Sequence, residues 1–123
     1  MNTSERKIII FDDDEDIVSV CQYILMEKGW QVYPFADCND PIAKVESIMP
    51  DVILMDNWIP DEGGIITTQK IKSSEHLMHI PVIFFSASGN IKNLAEEAGA
   101  DAYLSKPFDL DALEKVVRYR LES

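Results

Sequence analysis

Apolar residues occur along this chain in two rhythms. Three short unbroken runs, Ile8-Ile9-Ile10-Phe11, Val52-Ile53-Leu54-Met55 and Val82-Ile83-Phe84-Phe85, each stop abruptly at a polar residue. Continuous runs of that length predict strands buried on both faces, as in a parallel sheet covered by helices. The segments between them follow a helical period. Ile17, Val18, Cys21, Ile24 and Leu25 fall on one face of a first helix, which Gly29 ends. Trp30 to Tyr33 reads as a short second strand, and Asp40-Pro41 supplies an N-cap and a first-turn proline to a second helix. That helix turns Ile42, Val45 and Met49 inward and closes at Pro50. After the third strand, "PDEGG" is a turn into a third helix. A fourth helix runs from about Asn90 to Gly99, and "AYL" forms the last strand. Asp109 then caps a fifth helix that turns Leu110, Leu113, Val117 and Leu121 inward.

Strict alternation of strand and helix predicts an α/β fold, a doubly wound five-stranded parallel sheet with five helices in three layers. No repeat, linker or low-complexity stretch interrupts the pattern, and 123 residues fit one domain of the usual roughly 100–200 residues. A single unit spanning 1–123 is therefore expected, with no effector domain.

Composition narrows the function. The chain has 22 acidic residues against 11 Lys and Arg, a formal charge of −11, which opposes binding to a phosphate backbone. Direct nucleic-acid binding is not expected. Cys21 and Cys38 are too few for a disulfide framework or a zinc site and read as reduced thiols. "MNTSERK" lacks the apolar core of a signal peptide, and no run approaches the roughly 20 residues of a membrane span. A soluble cytoplasmic protein without membrane contact is expected.

The acids are not evenly spread. "FDDDED" sets five carboxylates, Asp12 to Asp16, directly after the first strand, where they repel one another unless amides, solvent or a cation lie near. In an open parallel sheet the ligand site lies beyond the carboxyl ends of the strands. Asp12 and Asp13 follow strand one, Asp56 ends strand three, Ser86 ends strand four, and Lys106-Pro107 follows strand five. Three carboxylates around one rim form a hard-oxygen set suited to Mg²⁺, with Mn²⁺ an alternative. A lysine and a hydroxyl on the same rim suit a further anion, most simply a phosphoryl group. Asp14, Glu15 and Asp16 read instead as helix-capping and first-turn acids. His76 and His79 fall in the polar connection before strand four, away from the rim, and read as solvated.

"FDDDED", "DVILMDNWIPDEGG", "PVIFFSAS" and "GADAYLSKPF", in that order over nearly the whole chain, resemble the receiver domain of bacterial two-component response regulators. The resemblance implies a flavodoxin-like (βα)5 sheet of strand order 2-1-3-4-5. It implies that Asp56 accepts a phosphoryl group from the phosphohistidine of a sensor histidine kinase or histidine phosphotransfer protein. Asp13, Asp56 and the backbone carbonyl of Trp58 would bind Mg²⁺ directly, and Asp12 mainly through water. Lys106 would pair with the acceptor carboxylate and then with a phosphoryl oxygen, and Ser86 would hydrogen-bond another. Ser86 and Tyr103 would form the switch that shifts the face of helix four, strand five and helix five, where an unidentified downstream protein or a weak phosphorylation-dependent dimer would bind. The donor would dock near helix one. Such a domain assists its own phosphorylation and is not otherwise an enzyme.

Two positions depart from the family pattern. Ile59 replaces a frequent Met and is expected to be neutral. Trp58 is bulkier than usual beside the path of attacking water and is expected to alter phosphoryl lifetime. A haloacid-dehalogenase-type phosphatase also uses an Asp nucleophile with Mg²⁺, but it needs a second Asp where this chain has Trp58. A docking module that is never phosphorylated is the other alternative, although no acid or lysine of the pattern is missing.

Overall fold

The computed structural model describes residues 6–57, 63–86 and 89–105, together with Ala112 and Lys115. Strands β1 (Lys7–Phe11), β2 (Gln31–Phe35), β3 (Val52–Asp56), β4 (Val82–Ser86) and β5 (Ala102–Ser105) alternate with helices α1 (Glu15–Glu27), α2 (Pro41–Ile48), α3 (Gly64–Lys72) and α4 (Ile91–Ala98). All neighbouring strands pair in parallel, in the order β2-β1-β3-β4-β5. The reversal of order between β1 and β3 creates a crevice at their carboxyl ends.

The unbroken apolar runs are explained by two cores, one on each face of the sheet. Ile8, Ile10, Val52, Leu54, Ile83 and Phe85 pack with Cys21 and Leu25 of α1. Ile9, Phe11, Ile53, Met55, Val82 and Phe84 pack on the opposite side with residues of α2, α3 and α4, among them Val45, Ile71, Ile91 and Ala95. Successive residues of a strand face opposite ways, so a strand covered on both sides needs apolar residues at every position.

Helix boundaries follow local chemistry in most places. Asp14 caps α1, its carboxylate accepting from the amides of Asp16 at 3.1 Å and Ile17 at 3.3 Å. Gly29 and Gly99 take left-handed backbone just after α1 and α4, with φ of 92° and 80°. The expected ends of α2 need correction. Asp40 stands at the N-cap but is itself left-handed (φ 51°) and bonds none of the helix amides through its side chain. Met49 lies beyond the helix, also left-handed and 45% exposed, and Ile48 packs on the core in its place. Strand β2 continues past Tyr33 to Phe35 through the exposed Pro34. An edge strand tolerates a proline because its outer amide has no partner strand. The fifth helix, with its expected cap Asp109 and inward residues Leu110, Leu113, Val117 and Leu121, lies outside the described residues; Ala112 and Lys115 are helical.

Helix α3 buries an unusual face: Gly64, Thr67, Thr68 and Ile71. Among the described residues, nothing donates to or accepts from the Thr68 hydroxyl, although the side chain is fully buried. A buried hydroxyl without a partner keeps its desolvation cost of about 1–3 kcal/mol, and Val has nearly the same shape. Thr68→Val is expected to raise stability by about 1 kcal/mol. The check is a urea unfolding midpoint that rises while the slope stays unchanged.

Candidate metal centre

The register of β1 and β3 builds the centre. Phe11 lies opposite Met55, so the next residues on the two strands, Asp12 and Asp56, emerge side by side at the crevice. Asp12 is held at both ends: its amide donates to the Phe35 carbonyl at 3.1 Å, and its Oδ1 accepts from the Asp14 amide at 2.9 Å. Both Asp12 and Asp56 are almost fully buried, whereas Asp13 is exposed. One carboxylate oxygen from each of Asp12, Asp13 and Asp56 lies within 4.8 Å of the others. Three hard oxygens at that spacing fit a small divalent cation that keeps some of its waters.

Ser86, fully buried, ends β4 directly after the Phe85 that pairs with Asp56. It lies opposite Ser105, the last residue of β5. Tyr103 is 44% exposed on β5, the edge strand. Trp58 and Lys106 lie outside the described residues. The histidines stand at the other end of the sheet, in the connection leading to the start of β4. There the ring of His76 bonds Glu46 at 2.6 Å and Ser74 at 3.1 Å, and His79 is exposed. Cys21 and Cys38 are both buried.

The family model described as the response regulator receiver domain matches residues 8–118. The chain belongs to this family. A receiver domain of known structure, that of sensor histidine kinase PA1611 from Pseudomonas aeruginosa PAO1, is 27% identical and superposes with a TM-score of 0.88, covering 98% of this chain and 100% of that one. That structure holds a magnesium ion coordinated in its active site cleft. The chemotaxis response regulator CheY4 of Vibrio cholerae shares the fold, with a TM-score of 0.87 at 23% identity over 96% of this chain and 100% of that one.

Among curated relatives, the alkaline phosphatase synthesis transcriptional regulatory protein PhoP of Bacillus subtilis is 31% identical over 122 residues, 95% of this chain and 50% of PhoP. The CAI-1 autoinducer sensor kinase/phosphatase CqsS of Vibrio cholerae is 32% identical over 112 residues, 89% of this chain and 16% of CqsS. The chain thus spans half or less of the length of these relatives. Receiver domains of this kind occur both in regulators and within sensor kinases. Among the described residues no helix is long and apolar enough to cross a membrane.

One residue at the centre is absent from the sequence-based expectations. Gly64, in the first turn of α3, is packed directly on the backbone of Asp56. The doubled glycine of "EGG" reads as a turn, yet its second member is already the first residue of a helix, with no positive φ to explain it. A glycine beyond the turn proper was the signal available.

Proposed function

We propose that this receiver domain is a phosphorylation-controlled signalling switch in which Asp56 accepts a phosphoryl group with the help of Mg²⁺. The observation that carries the reading is the convergence of Asp12, Asp13 and Asp56 at the crevice between β1 and β3. Asp13, Asp56 and the carbonyl of Trp58 would hold the cation directly and Asp12 would act mainly through water; Mn²⁺ could substitute. A bound cation would neutralise charge developing on the transferring group, and Lys106 would add to that neutralisation. A carboxylate oxygen of Asp56 forms the new P–O bond while the P–N bond to the donor imidazole breaks; the released nitrogen keeps that electron pair, and the ring leaves as neutral imidazole with the proton already on its other nitrogen. Ser86 then hydrogen-bonds a phosphoryl oxygen, Tyr103 turns inward, and the face of α4, β5 and the fifth helix shifts toward its partner-binding form.

The donor is a sensor histidine kinase or a histidine phosphotransfer protein. Its docking near α1 is supported by Val20, Tyr23 and Met26, which form an exposed apolar stripe on that helix (52%, 66% and 57% exposed). The reading takes residues 1–123 as one receiver unit of a cytoplasmic pathway, with an unidentified downstream protein or a weak phosphorylation-dependent self-association as output. Nucleic acid is not a partner of a unit with a charge of −11.

The test needs no cognate kinase. Incubated with a small acyl phosphate and Mg²⁺, the protein is expected to gain one phosphoryl group by intact mass, located to the peptide containing Asp56. With EDTA in place of Mg²⁺ the adduct should disappear. No adduct with Mg²⁺, or one on another residue, would overturn the reading and leave a phosphorylation-independent docking module.

A further inference from the structure

The two glycines at the entrance of α3 do different work. Gly63 has a φ of 87°, and a Cβ on it would meet nothing within 4 Å. It supplies backbone freedom. Gly64 is buried and helical, and a Cβ on it would lie 2.2 Å from the Asp56 carbonyl oxygen, 3.1 Å from its carbonyl carbon and 3.2 Å from the Asn57 Cα. It supplies space. All three atoms are backbone, at a point where the next amide, that of Asn57, is tied to the Phe85 carbonyl of β4 at 3.2 Å. They cannot rotate aside as the end of a side chain would. The Gly64 amide also approaches the Asn57 carbonyl at 3.4 Å. The first turn of α3 is thus seated on the peptide that carries the acceptor side chain.

We propose that Gly64 is a positioning residue for the metal centre: its missing side chain lets α3 close on the Asp56 peptide and fixes that carboxylate relative to Asp12 and Asp13. The inference rests on the Mg²⁺ reading of the centre. Carbon and oxygen atoms that are not bonded stay more than about 3 Å apart, so any side chain at residue 64 must move helix and peptide apart by the better part of an ångström. The Asp56 Cα moves with its peptide, and with it an oxygen that has to share one cation with two other carboxylates. Mg²⁺ is intolerant of such a shift because it demands bonds of about 2.0–2.1 Å in near-ideal octahedral geometry.

Gly64→Ala and Gly63→Ala in the whole chain separate positioning from stability. Both substitutions are expected to lower the urea midpoint, Gly63→Ala through its strained φ and Gly64→Ala through the clash. Calorimetric titration of the folded proteins should show Mg²⁺ affinity reduced about 10- to 100-fold in Gly64→Ala, the range seen when supports of metal ligands are lost. Gly63→Ala should stay within about twofold of wild type, since its Cβ touches nothing. Equal affinities in wild type and Gly64→Ala, or an equal loss in both variants, would overturn the inference. Should Gly64→Ala fail to fold, the wild-type Gly64 amide resonance decides: it must shift saturably with Mg²⁺ at the affinity of the centre while that of Gly99 stays still, and an unmoved Gly64 overturns the inference. A wild type that binds no Mg²⁺ overturns the reading of the centre and this inference with it, whereas wild-type binding with an unaltered Gly64→Ala overturns the inference alone.

Discussion

Asp56→Asn is expected to accept no phosphoryl group and, in cation-free buffer, to be more stable than the wild type. The first effect is chemical. An amide oxygen is a poor nucleophile compared with a carboxylate, so the adduct seen by intact mass should fall to background. The second effect is electrostatic. Carboxylate oxygens of Asp12, Asp13 and Asp56 lie within 4.8 Å of one another, and two of the three residues are almost fully buried. At an effective dielectric constant near 20, each such pair of charges repels by about 3–4 kcal/mol before solvent screening. Exposure of Asp13 and the expected pairing of Lys106 with Asp56 offset much of this, which leaves a gain of about 1–2 kcal/mol on removing the charge. Mg²⁺ should reverse the order. A ligand bound only by the folded state adds about 2.7 kcal/mol at a hundredfold excess over its dissociation constant, and the variant forfeits most of that binding. Thermal melts with EDTA and with Mg²⁺ should therefore cross. A variant less stable than wild type in EDTA would refute the charge argument, and a labelled variant would refute the assignment of the acceptor.

The strands and the acid rim were legible in the sequence because each rests on a local rule. Ile8–Phe11, Val52–Met55 and Val82–Phe85 are apolar at every position since both faces of the sheet are covered, and a run of that kind needs no knowledge of its partners. Asp12, Asp13, Asp56 and Ser86 end those runs, and the parallel topology brings such ends together. What escaped the sequence depends on contacts between distant segments. Asp40 and Met49 take left-handed backbone at the two ends of α2, where each precedes a proline. A non-glycine residue is held there only when the surrounding structure enforces it. The seat of Gly64 on Asp56 is likewise a long-range contact, visible beforehand only as a glycine beyond the turn proper. Thr67 and Thr68 are fully buried on α3, where polarity alone would have set them outside.

Lys72→Met is expected to destabilise the protein by about 2–3 kcal/mol, because the lysine clamps three segments at the end of the sheet opposite the acids. Its ammonium donates to the carbonyls of Ile80 at 2.8 Å and Met78 at 3.1 Å, and it forms an ion pair with Asp101. Asp101 in turn is bound twice to Val82: its Oδ2 accepts from the Val82 amide at 2.8 Å, and its own amide donates to the Val82 carbonyl at 2.9 Å. The clamp therefore joins the last turn of α3, the connection into β4 and the start of β5. With the lysine side chain only 17% exposed and the aspartate 34% exposed, this pair is sheltered well beyond an ordinary surface ion pair. Methionine keeps the packing of the aliphatic stem but leaves two carbonyls and a carboxylate facing the place of the lost donor. Asp101→Asn should cost less, about 1 kcal/mol, since an amide oxygen still accepts from Val82 and the ammonium keeps its carbonyls. The double variant should cost less than the sum of the two, because neither partner then stands alone. Urea unfolding of the four proteins measures the cycle. A Lys72→Met midpoint within about 0.5 kcal/mol of wild type would mean that water replaces the ammonium without loss. Acyl phosphate labelling of Asp56 should persist in every folded variant, since the clamp sits at the amino ends of β4 and β5 and the acids at the carboxyl ends of β1 and β3.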